Sequence, residues 1–207
     1  MDKSATALLM GDLAGVAVFA ASGGALAVAK RLDLFGVAFV GVVSALGGGI
    51  LRDLVIDRPP VAFWDWRYPA TAVVASLLVF WWHPWMQRAR RVILLLDAAG
   101  LALFTVTGTT ISLAVGVPAV GACLIGMLTG IGGGLARDLL LSEIPVVLRR
   151  EIYALASLVG AAAVAILVRL DVANIANLIL AGVLIFAVRL VALQRRWSAP
   201  TPRDGGP

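Results

Sequence analysis

Seven apolar stretches, near residues 5–28, 34–56, 68–86, 92–114, 118–141, 151–169 and 173–193, each approach or reach the about 17–25 residues that a membrane-spanning helix needs. Such a chain folds as an all-α polytopic membrane protein. Composition agrees: 61% of the 207 residues are hydrophobic and 14% are charged, where a soluble domain carries about a quarter charged. Asp2, Lys3 and Ser4 lead into the first stretch without a basic n-region or a small-residue cleavage site, so it reads as a retained helix rather than a removed signal peptide. Trp64, Trp66 and Tyr68 stand at the start of the third stretch, and Trp81, Trp82 and Trp85 at its end. Such rings favour the headgroup zone and mark both ends of that helix; His83 falls in the second belt as an interfacial ring. Pro59, Pro60 and Pro145 stop the second and fifth helices.

The chain repeats itself. Adding 85 to a position in the first half meets the same residue type at Asp12 and Asp97, Gly15 and Gly100, Phe19 and Phe104, and Gly23 and Gly108. The register continues without a gap through Arg52 and Arg137, Asp53 and Asp138, Pro60 and Pro145, and Tyr68 and Tyr153. This is a duplication, with repeat one over about 5–86, repeat two over about 92–169 and an extra helix over about 173–193. The expectation is one transmembrane domain over 1–193 and a polar tail over 194–207. Three helices per repeat is an odd number, so the second copy enters the membrane from the opposite side. The two are expected to be inverted repeats about an axis in the membrane plane.

Basic residues set the orientation. With the N-terminus on one side, that side holds Lys3, Arg58, Arg67 and Arg169. The other holds Lys30, Arg31, Arg88, Arg90, Arg91, Arg149, Arg150, Arg195, Arg196 and Arg203, and the richer side is cytoplasmic. The N-terminus is then outside and the C-terminus inside.

The most distinctive motif occurs once per repeat: Gly47-Gly48-Gly49-Ile50-Leu51-Arg52-Asp53 and Gly132-Gly133-Gly134-Leu135-Ala136-Arg137-Asp138. A triplet clears every face of a helix, where simple packing needs one small face. The expectation is therefore a kink or an unwound backbone, with carbonyl oxygens exposed to an ion. Inversion puts both triplets near mid-membrane, with Arg52 and Asp53 to the outer side and Arg137 and Asp138 to the inner. A charge at that depth needs a partner, water or a headgroup. Because adjacent helical residues do not face each other, cross-repeat pairs such as Arg52 with Asp138 or Asp53 with Arg137 come into question. The pairs serve either as structural clamps or in the path and its gating. Asp12 and Asp97 read either as helix-start residues favoured by the dipole or as an entrance. Ser22, Ser44, Thr105, Thr107, Thr109, Thr110 and Thr129 are weaker cues, since such hydroxyls also bond their own helix carbonyls.

Several classes drop out. Cys123 has no partner for an intrachain disulfide, and the single histidine excludes multi-histidine zinc sites. The net charge of +5 belongs with cytoplasmic loops and anionic membrane lipids rather than nucleic acid. No nucleophile elbow, zinc-protease signature or phosphate loop is present, so neither an enzyme nor a cofactor is expected.

The doubled Gly-Gly-Gly-x-x-Arg-Asp, with Leu32-Asp33-Leu34-Phe35-Gly36 and Asp97-Ala98-Ala99-Gly100-Leu101-Ala102-Leu103-Phe104, resembles the prokaryotic TRIC family, relatives of the trimeric intracellular cation channels also described by a duplicated glycine-transporter domain. The resemblance spans about residues 5–193. It implies seven helices as three plus three plus one, and a homotrimer with a pore in each protomer lined by kinked second and fifth helices. It also implies conduction of monovalent cations, mainly potassium with little preference over sodium, across a prokaryotic inner membrane. Gly47, Gly48, Gly49, Gly132, Gly133 and Gly134 would bend the pore helices, and Asp53 and Asp138 would supply negative potential. Arg52 and Arg137 repel a cation, so they fall to ion pairing or gating. They also sustain the alternative of a carrier for a small amino acid such as glycine, with an arginine on the carboxylate.

Overall fold

The structure is a computed structural model and describes residues 3–82, 89–149 and 152–195. Trp85, His83 and the polar tail from Arg196 lie outside the described residues. Among the described residues the elements are all helical: α1 (Lys3–Ala29), α2 (Leu34–Val55), α3 (Val61–Trp64), α4 (Arg67–Trp81), α5 (Ala89–Ala114), α6 (Ala119–Leu140), α7 (Val146–Arg149), α8 (Ile152–Arg169) and α9 (Ile175–Gln194). α1, α2, α5, α6 and α9 are long and apolar enough to cross a membrane, while α4 and α8 are shorter apolar helices. The short α3 and α7 were not foreseen. They too keep the offset of 85 residues, as do α2 and α6 at both ends.

Local chemistry sets the ends. Asp33 caps α2 by accepting from the Gly36 amide at 2.8 Å, and Asn174 caps α9 through the Asn177 amide at 2.9 Å. α2 and α6 close alike. Asp57 (φ 55°) and Ser142 (φ 53°) turn left-handed, and the next amides, Arg58 and Glu143, bond back to the Asp53 and Asp138 carbonyls at 2.8 Å each. Each chain then doubles back over its own helix end into α3 or α7.

α1 with α5 and α2 with α6 form the centre. α4 packs on α1 and α2, α8 on α5 and α6, and α9 on α5 and α8. Contacts across the centre come in exchanged pairs. A Cβ on Gly15 would lie 2.5 Å from the Phe104 ring, and one on Gly100 would lie 2.6 Å from the Phe19 ring. These are the same two positions in each repeat with partners swapped, and Phe19 and Phe104 stack between them at 5.3 Å. With short turns joining α1 to α2 and α5 to α6, α1 and α5 run antiparallel, as do α2 and α6, because the ends of α1 and α6 meet. Lys30, after α1, pairs with Glu143, after α6, so those two helices end on the same side.

One core gathers Val16, Phe19, Leu46, Tyr68 and Phe104; a second gathers Leu101, Ile131, Tyr153, Val164 and Ile185. The outer faces are apolar as well. Phe35, Trp64, Trp66, Val120 and Leu148 are all more than 70% exposed, which suits a lipid surround. Trp64 and Trp66 at one end of α4 and Trp81 and Trp82 at the other stand exposed, as headgroup-level rings should.

Candidate functional site

The glycine triplets meet at the centre. A Cβ on Gly48 would sit 2.2 Å from the Thr129 carbonyl oxygen, and one on Gly133 would sit 2.1 Å from the Ser44 carbonyl oxygen. Gly48 and Gly132 also touch backbone to backbone. Both triplets remain inside uninterrupted α-helix, which corrects the expected unwinding. The physical reason is that the freedom of these glycines is used for approach rather than for a break. Losing the side chains lets two antiparallel helices cross on bare backbone, and that contact compensates for glycine's poor helix propensity of about 1 kcal/mol per residue. Gly49 differs, with nothing within 4 Å of its Cβ position, while the same position on Gly134 meets the Asp97 carboxylate at 3.1 Å and the Tyr153 hydroxyl at 3.3 Å.

On each side of the crossing a buried arginine is held between two carboxylates. In the first half, Arg52 Nε donates to Asp53 Oδ1 at 2.8 Å and Nη1 lies 3.4 Å from Asp12 Oδ2. Asp12 also accepts from the Thr107 hydroxyl at 2.8 Å and the Tyr68 hydroxyl at 3.2 Å. In the second half, Arg137 Nε donates to Asp138 Oδ1 at 2.9 Å, and Nη1 donates to Asp97 Oδ1 at 3.0 Å and to Ser22 at 2.7 Å. The free oxygens of the motif aspartates tie down the returning chain: Asp53 Oδ2 accepts the Val61 amide and Asp138 Oδ2 the Val146 amide, both at 3.0 Å. Those amides open α3 and α7, where no carbonyl of the same helix is available to them.

Three sequence readings are corrected here. Arg52 and Arg137 do bond the adjacent aspartate, because the long guanidinium arm folds back within the last turn of its helix. Their second carboxylate comes from the same repeat, Asp12 or Asp97, and the cross-repeat pairs Arg52 with Asp138 and Asp53 with Arg137 do not form. Asp12 and Asp97 are not helix caps. Each lies more than two turns inside its helix, buried, as a counter-ion. Tyr68, expected at the membrane interface, is 7% exposed with its hydroxyl on Asp12.

Of the polar candidates, Ser44 and Thr129 each donate to their own helix, to the Val40 and Ile125 carbonyls, at 2.6 Å. They serve as packing, seated on Gly23 and Gly108. Thr107 alone of the three bonds an ionic cluster. Sequence reasoning missed Arg189, which lies on α9 at 1% exposure with its guanidinium 4.6 Å from the Tyr153 ring centre. A lone arginine in an apolar span was the available signal. A cavity of about 10 Å³, the room of about one water molecule, lies among Asp12, Gly49, Arg52, Asp53, Tyr68 and Phe104. A larger apolar groove of about 980 Å³ runs between α1, α5 and α9, reaching Gly11 and Thr107.

Comparison with known proteins places this geometry. The glycine transporter family matches twice, over residues 9–84 and 94–169, the two matches separated by the same 85 residues. A TRIC trimeric intracellular cation channel orthologue from Rhodobacter sphaeroides has a crystal structure that superposes with a TM-score of 0.89 at 35% identity, over 93% of this chain and 100% of that one. The chain belongs to the TRIC family. A second TRIC structure, of a prokaryotic channel in potassium chloride, matches at TM-score 0.86 and 30% identity over 93% of this TRIC chain and 98% of its own. By sequence, a UPF0126 membrane protein of Deinococcus radiodurans is 44% identical over 74% of this chain and 73% of its own length. One of Streptomyces coelicolor is 39% identical over 100% and 96%. This TRIC-family member is thus an integral membrane protein.

Proposed function

We propose that this protein is a passive cation channel that conducts potassium, and sodium with little discrimination, as a homotrimer with one path in each protomer. The path runs between α2 and α6, and the conformation described here is closed at the glycine crossing. The observation that carries this reading is the crossing itself: two antiparallel helices meeting on bare backbone, with a buried Asp–Arg–Asp cluster on either side. Contact without side chains is the kind of seal that a small slide or bend of α2 and α6 at the triplets would open. Opening would hand freed carbonyl oxygens to an ion. In this reading the aspartates of each cluster supply negative potential, and the arginines hold them in place at a depth where bare carboxylates would not stay charged. Thr107 belongs to the wall of the path, while Ser44 and Thr129 shape the crossing.

The arrangement rests on two inverted repeats within a single transmembrane unit of residues 1–193, with seven crossings, the N-terminus outside and the C-terminus in the cytoplasm. The swapped contacts and the shared side of Lys30 and Glu143 support the inversion. A TRIC relative described as a trimeric intracellular cation channel supports the trimer, and it and a second relative described as a TRIC cation channel support the cation.

The alternative, a glycine carrier, has the family's description in its favour. Against it, each arginine already faces two carboxylates, so a substrate carboxylate would have to displace one. Proteoliposomes separate the two readings. A potassium flux that follows an imposed membrane potential, with no uptake of labelled glycine, is expected. Glycine accumulation without such a flux would replace the channel by the carrier.

A further inference from the structure

Ser22 and Thr107 hold the same position in the two repeats, by the offset of 85 residues, and both are buried. Each reaches across to the ionic cluster of the other repeat. Thr107, on α5, donates to Asp12 Oδ1 on α1 at 2.8 Å. Ser22, on α1, accepts from Arg137 Nη1 on α6 at 2.7 Å and turns its own hydroxyl toward the Ile93 carbonyl of α5 at 3.5 Å. A hydroxyl can do both, giving a proton to an anion in one half and a lone pair to a cation in the other. The clusters themselves act within a repeat. In repeat one, Asp12 of α1 takes Arg52 of α2 and the Tyr68 hydroxyl of α4, which knits those three helices together. In repeat two, Arg137 of α6 takes Asp97 of α5. Asp12 and Ser22 stand about 15 Å apart along α1, with Phe19, stacked on Phe104, between them in sequence. α1 is thus fastened to repeat two at two separate points.

We propose that Ser22 and Thr107 are positioning residues that pin the two repeats together in the closed state, so that the channel opens by displacement of one repeat against the other and loss of either pin favours the open state. This rests on the channel reading. At the glycine crossing the repeats meet on bare backbone, which brings no side-chain hydrogen bond to resist a slide. The two hydroxyls supply that resistance, because each bond ends on a charged group and is directional. Movement within a repeat leaves them intact, and movement between repeats breaks them. Neither residue carries a charge, so replacing it leaves the charge along the path, and the current through an open channel, as they were.

The test is single-channel recording of the full-length protein in planar bilayers with symmetric potassium chloride, read as the ratio of open to closed time. Losing a hydrogen bond to a charged group from the closed state alone should raise that ratio about tenfold to a hundredfold. Thr107→Val and Ser22→Ala should each do so at unchanged unitary conductance, and the double variant should exceed either. Thr107→Ser keeps the donor and should keep the wild-type ratio. Thr110→Val, whose hydroxyl bonds its own helix, should keep it too. So should Tyr68→Phe, which removes a bond to the same Asp12 carboxylate from within repeat one. Should one of the two pin variants fail to fold, the other alone must raise the ratio. An equal rise in Tyr68→Phe would mean general loosening around Asp12 and overturns the inference. Unchanged ratios in Thr107→Val and Ser22→Ala, with wild type conducting, overturn it as well and leave the channel reading standing. No potassium current from wild type or any variant overturns both.

Discussion

Gly48 and Gly49 are neighbours in sequence, yet the crossing makes opposite demands on them. A methyl group on Gly48 would lie 2.2 Å from the Thr129 carbonyl oxygen, about 1.2 Å inside the 3.4 Å at which ordinary contact begins. The obstacle is backbone, so no rotamer change relieves it and α2 must move away from α6. Overpacking of this order costs about 1–3 kcal/mol, more than the roughly 1 kcal/mol that alanine gains over glycine in a helix. Gly49 has nothing within 4 Å of its Cβ position, so there the propensity gain stands alone. The expected order of stability is therefore Gly49→Ala at or above wild type, wild type, then Gly48→Ala, with Gly133→Ala matching Gly48→Ala because its methyl would meet the Ser44 carbonyl at 2.1 Å. Thermal unfolding in a mild detergent, followed by tryptophan fluorescence, reads this order. Equal midpoints for Gly48→Ala and Gly49→Ala would refute the close crossing.

Other expectations follow from the ionic clusters and the topology. Thr107→Val removes a hydrogen bond to the buried Asp12 carboxylate and should cost about 1.5–3 kcal/mol in the same assay, whereas Thr110→Val, whose hydroxyl bonds only its own helix at Val106, should cost less. Asp12→Asn strands Arg52 with one carboxylate and should destabilise by about 3–5 kcal/mol, a loss that added salt does little to mimic because the pair is buried. A cysteine placed at Asp2 should react with an impermeant reagent from outside and one at Ser198 should not; labelling of both from one side would contradict an odd number of crossings.

Much of this architecture was legible in the chain because the duplication is written residue by residue. An unbroken offset of 85 residues gave two matching halves, and the Gly15–Phe104 and Gly100–Phe19 contacts are exchanged between them. What spacing alone does not carry is rotation about a helix axis. Arg52 could be seen to need a carboxylate, but Asp12 and Asp53 became its partners only once α1 and α2 were packed at a particular angle. Tyr68 was hidden by its neighbours, since a phenol after two exposed tryptophans reads as part of a belt; its repetition as Tyr153 was the cue that it belonged to the core. Arg189 was hidden because it lies outside the repeat and has no counterpart to draw attention to it. The triplets misled for a different reason. Glycine permits both a broken helix and a very close one, and only the presence of a second triplet on the facing antiparallel helix decides for contact.

The central claim is that the cation path passes between α2 and α6 at this crossing, and a reversible tether tests it most directly. The Cβ position of Gly47 lies 3.6 Å from Ala136 Cβ, within the range that a disulfide spans. The variant Gly47→Cys with Ala136→Cys, made on a Cys123→Ala background, should cross-link α2 to α6 on oxidation, with bond formation checked by mass. The account predicts that unitary potassium current disappears when the bond forms and returns on reduction, while each single-cysteine variant conducts throughout. Undiminished current through fully cross-linked protein would place the path elsewhere.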